Sequence, residues 1–567
     1  MGIRQKITAS PDRYVLFWLC VWLIVNVIQA AFTGLADDEA YYVMFAENPA
    51  WGYFDHPPVT AMLVWLGTHI CGGSLGVRLA FLLLQPAYLW ILWRLIKPED
   101  GKADLRDARL YTVLTAATLM LQLYGFVAVP DSPLMFTAAL FLLAFDRFCK
   151  GGRFSWVMLG LTMALMAYSK YHGALVVLFC VAANPRLLRR PGLYLAGLLT
   201  FVLLIPHLMW QYSHNWASFA YHLSDRNALF ELSYVTDFVA NMLVVFNPLF
   251  VPVFFQAWKH CKAESGLTRA LRWLPVLFIG FFLLSSLRGY VQPQWVIASI
   301  FGTIYVMFRY VRRHPRTYRY VMRSGMVTIG LVLLCRIVMI TNPFNIKFQI
   351  FHNEASYGQL AEIAAGRPII FNGNYAIASK YRYYTGCPAY CEPEITYRTH
   401  QWQFRDDDSV FEGQEVLVMC NRSDVHLLAG VDSVRLKNNE TFRWFVDRDF
   451  RPVRLVDVSA EGLPAKAVPG DSMRLSLTLT NPYGRDVLID NTQSLVMVWK
   501  YSRFDVIEYT VCRDALIPAG GSIQLTIDFT VPEELADRVY KVGFALKRTG
   551  YIYWFNGQPA KVKVTGR

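Results

Sequence analysis

Eleven apolar runs follow one another through the first 341 residues, at 14–35, 75–96, 108–128, 132–149, 155–170, 172–184, 191–210, 234–257, 271–287, 293–311 and 323–341. A membrane-spanning helix needs about 20 consecutive apolar residues. In lipid each backbone N–H and C=O must be satisfied within the protein, so such a succession folds as a bundle of helices. The runs at 155–170 and 172–184 are short and read as tilted, broken or partly re-entrant. Residues 57–70 are too short to span, and an interfacial helix suits them better. Charged residues make up 17% of the chain, against about a quarter in soluble domains. An integral membrane protein of about 11 spans is the expected class.

The chain carries a net charge of +13, which in a soluble protein would suggest nucleic acid. Here the basic residues stand in short clusters between apolar runs. Arg94, Lys97, Lys102, Arg106 and Arg109 form one cluster, and Lys150 with Arg153 another. Arg186, Arg189 and Arg190 follow, then Lys259, Lys262, Arg269 and Arg272, and last Arg309, Arg312, Arg313, Arg316, Arg319 and Arg323. With a retained N-terminal signal anchor and the N-terminus inside, all of them fall on the cytoplasmic side, as the positive-inside rule requires. The expected partners are therefore membrane lipids and not nucleic acid, and the expected location is a membrane.

After Asn342 the long apolar runs stop. A helical pattern at Ser356–Ala365, a strand at Pro368–Phe371, a helix at Tyr375–Tyr384 and a strand at Glu415–Met419 predict a small α/β domain over 343–450. Period-two strands at Met473–Leu479, Ser522–Ile527 and Val539–Phe544, separated by turns such as Asn481-Pro482-Tyr483-Gly484, predict a β-sandwich over 451–567. Together with a membrane domain over 1–342, the expected architecture is a polytopic helical domain followed by two extracytoplasmic domains. Five of the ten cysteines fall in or beside apolar runs and read as packing residues. Cys387 and Cys391 form a CxxxC pair that leaves a disulfide open.

Given this topology, the loops opposite the basic clusters share one side, and chemistry-bearing residues gather there. Asp37-Asp38-Glu39-Ala40-Tyr41-Tyr42 follows the first run, and Tyr53-Phe54-Asp55-His56-Pro57-Pro58 comes shortly after. Carboxylates beside lipid are costly unless used, and one at the lipid–water boundary suits general-base work on an acceptor hydroxyl. A solvated acidic cap is the plainer reading of Asp38 and Glu39. Asp131, between Pro130 and Ser132-Pro133, fits helix-start chemistry as well as a site. Lys170 and Arg288 close apolar runs on the outer side. They suit either snorkelling to headgroups or neutralising a leaving phosphate, with Tyr171, His172, Tyr290 and Gln292 adding hydrogen bonds. His207, His214 and His222, with Asp225 and Arg226 nearby, leave open a divalent-metal site with Asp55. No Gly-rich phosphate loop or HExxH motif supports a nucleotide-dependent or zinc-protease reaction.

Asp38-Glu39-Ala40-Tyr41-Tyr42, Gly52-Tyr53-Phe54-Asp55-His56-Pro57-Pro58, Pro130-Asp131-Ser132-Pro133 and Ser169-Lys170-Tyr171-His172 occur in that order. As a combination they resemble the GT-C membrane glycosyltransferases, over roughly residues 10–340. The nearest group is the lipid A aminoarabinose transferases and the dolichyl-phosphate-mannose:protein mannosyltransferase-like enzymes. The resemblance implies an inverting glycosyltransferase that takes a sugar from a polyisoprenyl-phosphate donor at the extracytoplasmic face. The acceptor it implies is a lipid such as lipid A or, alternatively, a protein.

The resemblance also implies roles. Asp38, with Glu39, matches the acidic base of the first outer loop, and Asp131 matches the acid of the second. Asp55 and His56 match the acidic–basic pair before the double proline, although relatives often carry Lys where His56 stands. Tyr41, Lys170, Tyr171, Arg226, Arg288 and Gln292 join His56 as expected donor-phosphate or substrate contacts. His222 is a looser match to a histidine that completes a metal site with Asp55. The β-rich tail has no counterpart in the resemblance. A transporter is the alternative from another class, but the charges cluster at one face and no inverted repeat appears. A non-catalytic glycan-binding envelope module leaves the intact first-loop carboxylates without a use.

Overall fold

The computed structural model describes residues 10–98, 103–222, 230–420, 425–502 and 504–566. The chain divides into two compact units, Met1–Phe351 and His352–Arg567. Among the described residues of the first unit, seven helices are long and apolar enough to cross a membrane. They are Pro11–Phe32, Gly73–Ile96, Asp131–Cys149, Pro191–Ser213, Gly266–Ser285, Pro293–Val311 and Pro315–Thr341, each on one of the eleven apolar runs. Shorter apolar helices at Ser155–Ser169, Gly173–Ala182 and Leu232–Val245 occupy three more.

The run at 108–128 departs from the expected span. Its helix Leu105–Ala116 stops, one short turn follows at Leu119–Leu123, and the chain is irregular up to Pro130. Irregular backbone within a bundle survives only if other groups meet its carbonyls. Here polar side chains do so. Gln122 Nε2 donates to Ala116 O at 2.5 Å and Asn247 Nδ2 to Ala117 O at 3.0 Å. Gln85 Nε2 donates to Leu121 O at 2.6 Å, and Asn26 Nδ2 to Gly125 O at 3.2 Å. The run at 234–257 is also interrupted, at Asn247, whose φ of 64° is left-handed and which precedes Pro248. Residues 57–70 form the helix Val59–Ile70, with Met62, Trp65, Leu66 and Ile70 exposed along one side.

The second unit opens with helix Asn353–Ala364, β1 (Ile369–Asn372), helix Tyr375–Thr385, β2 (Ala389–Glu392), β3 (Val416–Met419), β4 (Asp432–Arg435) and β5 (Thr441–Asp447). They make one sheet in the order β2-β1-β3-β5-β4, parallel among the first three and antiparallel beyond. β2, β4 and β5 are additions to the elements expected from the sequence. The sandwich strands begin with β6 (Asp457–Glu461), β7 (Lys466–Ala467), β8 (Ser472–Thr480), β9 (Val487–Ile489) and β10 (Gln493–Lys500). They end with β11 (Val506–Cys512), β12 (Ala515–Ile517), β13 (Ser522–Thr530), β14 (Val539–Arg548) and β15 (Ala560–Val564).

A five-stranded sheet, β11-β10-β14-β15-β7, and a three-stranded sheet, β13-β8-β6, share a core. Leu475, Leu477 and Leu479 alternate inward from β8, the period-two signature of a half-buried strand. Leu495, Met497 and Trp499 of β10 face the same core, while Val496 and Val498 are buried on the other face of that strand. All ten cysteines are free thiols. Cys391 is buried on β2 with Sγ 3.8 Å from His400 Nε2, so the CxxxC pair is not a disulfide.

Candidate functional site

The acidic stretch becomes a short helix, Asp37–Glu47, directly after the first span. Asp37, Asp38 and Glu39 occupy its first turn, where the positive end of the helix dipole favours carboxylates. The three face different surroundings. Asp38 is exposed, Asp37 partly so, and Glu39 is fully buried.

Arg78, from the interior of helix Gly73–Ile96, meets Glu39 through two bonds, Nε to Oε1 at 2.7 Å and Nη2 to Oε2 at 2.5 Å. Glu39 also accepts from Ala36 N at 2.9 Å and Ala128 N at 2.8 Å. The remaining Arg78 donors reach Ala30 O, Thr33 O and Gly34 O at 3.0, 2.7 and 3.0 Å. This clasp joins the end of the first span, the acidic helix and the irregular 124–130 segment. It corrects the catalytic expectation for Glu39, because four donors take both of its oxygens and leave none for a substrate. Glu39 positions; Asp38 is the carboxylate left facing outward.

Asp131 is the first residue of helix Asp131–Cys149 and is 3% exposed. Lys170, 4% exposed, donates to its Oδ1 at 2.6 Å. An isolated charge this deep is strongly disfavoured, and the pair makes both tolerable. Lys170, expected on a donor phosphate, spends one of its three N–H donors on Asp131. The half-buried Tyr124 lies on the segment that leads into Asp131, its backbone oxygen accepting from Ser132 Oγ at 2.8 Å, and the Ala128 N bond to Glu39 ties that segment to the acidic helix.

A second group surrounds the Trp51–His56 loop. Tyr41 donates to Asp55 Oδ2 at 2.7 Å. His207 Nδ1 lies 2.8 Å from Trp51 O, which makes Nε2 the acceptor for Tyr171 O–H at 3.1 Å. Gln211 Nε2 donates to Tyr171 Oη at 3.0 Å and to Ser218 Oγ at 2.8 Å, and Ser218 Oγ donates to Tyr53 O at 3.1 Å. Gly52 lets the loop lie flat, since a Cβ there would stand 2.6 Å from Trp210 and 2.9 Å from His207 Nδ1. Asp55 in turn acts on Tyr171, and the His56 ring packs edge-on to Tyr42 at 5.7 Å.

Of the residues expected at a metal, His222 Nε2 lies 3.1 Å from the Asp55 backbone oxygen, and Asp225 lies outside the described residues. No group of three or more His, Cys, Asp or Glu side chains able to hold a metal ion occurs among the described residues. Arg226 lies outside the described residues. Arg288 is exposed on the loop after helix Gly266–Ser285, and Gln292 holds Trp295 Nε1 at 2.9 Å, with Trp295 packed on His172 at 5.2 Å. Among the described residues, neither Arg288 nor Gln292 bonds to the network that joins His207, Tyr171, Gln211 and Ser218.

Sequence reasoning missed Arg78, Tyr124, Gln211 and Arg336. Arg336, buried in helix Pro315–Thr341, donates through Nη2 to Asn26 Oδ1 at 2.9 Å and Gln122 O at 2.6 Å. The signal for both arginines was present, because a charged residue inside an apolar run is expensive and marks a built interaction.

The family model for dolichyl-phosphate-mannose-protein mannosyltransferase matches residues 55–210, which include Asp55, His56, Asp131, Lys170, Tyr171 and His207 but not Asp38. No curated protein matches the chain. The apo structure of ArnT from Cupriavidus metallidurans is 13% identical, with a TM-score of 0.57, over 76% of this chain and 97% of that one. The same protein bound to undecaprenyl phosphate is 14% identical at the same TM-score and coverage. The chain thus has an ArnT-like fold, a helical membrane unit followed by a β-rich one.

Proposed function

We propose that this chain is a polyprenyl-phosphate-sugar-dependent glycosyltransferase. It moves a sugar from the lipid-linked donor to an envelope acceptor, lipid A or another glycolipid, at the extracytoplasmic face of a bacterial inner membrane. In this reading the N-terminus is cytoplasmic and the second unit extracytoplasmic. The observation that carries it is the joining of the two acidic segments: Glu39, next to the exposed Asp38, accepts from Ala128 N at 2.8 Å, three residues before the buried, ion-paired Asp131. The mannosyltransferase family match and the ArnT-like fold, seen there with undecaprenyl phosphate, support it.

Asp38 takes the proton of the acceptor hydroxyl, whose oxygen attacks the anomeric carbon. The bond from that carbon to the phosphate oxygen breaks with its electron pair, so the configuration inverts. Arg288 and His56 neutralise the leaving phosphate. The Asp131–Lys170 pair and the Glu39–Arg78 clasp fix the loops, so the acid needs no reorganisation as charge develops. Anchoring donor and acceptor in one bilayer supplies proximity.

Asp38→Asn, reconstituted with undecaprenyl-phosphate-linked sugar and lipid A, is expected to lose transfer while keeping wild-type insertion and thermal stability; substantial residual transfer refutes the base assignment. Protein O-glycosylation is the second reading, favoured by the description of the matching family. Mass spectrometry of lipid A and of envelope glycoproteins from cells with and without the gene separates the two by which fraction shifts.

A further inference from the structure

Helix Pro315–Thr341 begins with an arrangement that works against itself. Arg316, Arg319 and Arg323 stand at spacings of three and four, so they face one another on one side of the helix. Arg316 lies in the first turn, where the dipole already favours anions over cations, and Arg319 and Arg323 follow on the same side. All three are exposed, and among the described residues none has an acidic partner. The neighbouring Arg312 does have one, in Asp107, through bonds of 3.0 and 2.9 Å.

With Tyr320, Ser324 and Val327 they line a groove of about 400 Å³. Tyr320 is fixed by donating to Leu249 O at 3.0 Å, and Ser324 by donating to Tyr320 O at 2.8 Å. Directly along the helix from the groove run Val327, Leu331 and Leu334, 59%, 58% and 57% exposed, at the same helical spacing. The groove therefore pairs a cluster of uncompensated guanidinium groups with a continuous apolar track.

We propose that this groove binds an anionic phospholipid, its phosphodiester held by Arg316, Arg319 and Arg323 and its acyl chain laid along Val327, Leu331 and Leu334. The anion removes the mutual repulsion of the three arginines and completes the helix start. Guanidinium groups suit a phosphodiester better than ammonium because their donors reach two oxygens at once. The apolar track selects the lipid over a free phosphate. A zwitterionic headgroup offers the same phosphate but brings a cation with it.

The test uses the full chain in nanodiscs of mixed phosphatidylcholine and phosphatidylglycerol, with the lipid that survives extraction counted by native mass spectrometry. Wild type is expected to retain phosphatidylglycerol over phosphatidylcholine. Each arginine near a membrane surface is worth about a fivefold change in anionic-lipid affinity, so R319Q/R323Q is expected to lower retention about 25-fold. V327W keeps every charge but fills the groove, and it too is expected to lower retention. It carries the test alone if removing arginines disturbs insertion. Retention unchanged in V327W, or phosphatidylglycerol displaced by excess inorganic phosphate, overturns the proposal.

Discussion

Lys170→Met is the most informative single perturbation of the site. It removes the ammonium 2.6 Å from Asp131 Oδ1 and leaves a carboxylate 3% exposed with no cation beside it. Breaking a buried ion pair from one side costs about 3–5 kcal/mol, because the remaining charge keeps its desolvation penalty and loses its compensation. Asp131→Asn leaves the converse, a buried ammonium, at a similar cost. The double variant D131N/K170M removes both charges and replaces them with groups of similar size, so it is expected to return to within about 1–2 kcal/mol of wild type.

Thermal unfolding in nanodiscs, followed by tryptophan fluorescence, measures all four proteins, and a transfer assay on the same preparations separates holding from chemistry. The double variant is expected to be stable but slower in transfer, since the ion pair that fixes the loops around Asp38 is absent. Two results refute the reasoning: K170M as stable as wild type within about 1 kcal/mol, or a double variant that loses as much as the two singles combined.

Arg78→Met strips Glu39 of two bonds and uncaps the carbonyls of Ala30, Thr33 and Gly34. A loss of about 3–5 kcal/mol is expected by the same assay, and E39Q/R78M should recover part of it. Tyr41→Phe removes a hydrogen bond to the Asp55 carboxylate, worth about 1.5–3 kcal/mol; a transfer rate equal to wild type would show that Asp55 needs no such restraint. In the second unit, burial pushes the Glu392 carboxyl up to about 8, with Asp408 adding and Arg548 opposing. The folded state therefore prefers the proton, and its contribution is full below about 4.5 and lost as pH rises through about 8, by up to about 5 kcal/mol. Hydrogen exchange in β2 and β14 is expected to show wild type less protected than E392Q at pH 8 and level with it at acid pH.

The sequence by itself determined the class, the order of the parts and the nature of the chemistry. Runs of apolar residues near 20 long have few folded solutions in lipid, and alternating strands such as β8 bury one face whatever surrounds them. Both signals are local, so they can be read one segment at a time. The concentration of acids after the first run was legible for the same reason. What tertiary structure decided was which acid meets which partner. Asp38 and Glu39 are adjacent and alike in sequence, yet Arg78 claims Glu39 and leaves Asp38 outward. That Lys170 and Asp131, 39 residues apart, form a buried ion pair was not legible either. The break in the 108–128 run depended on Gln85 and Asn26, from two other helices, and on Asn247, from the break in the 234–257 run. A buried polar group is defined by its partners, and partners far apart in the chain meet only when the helices pack.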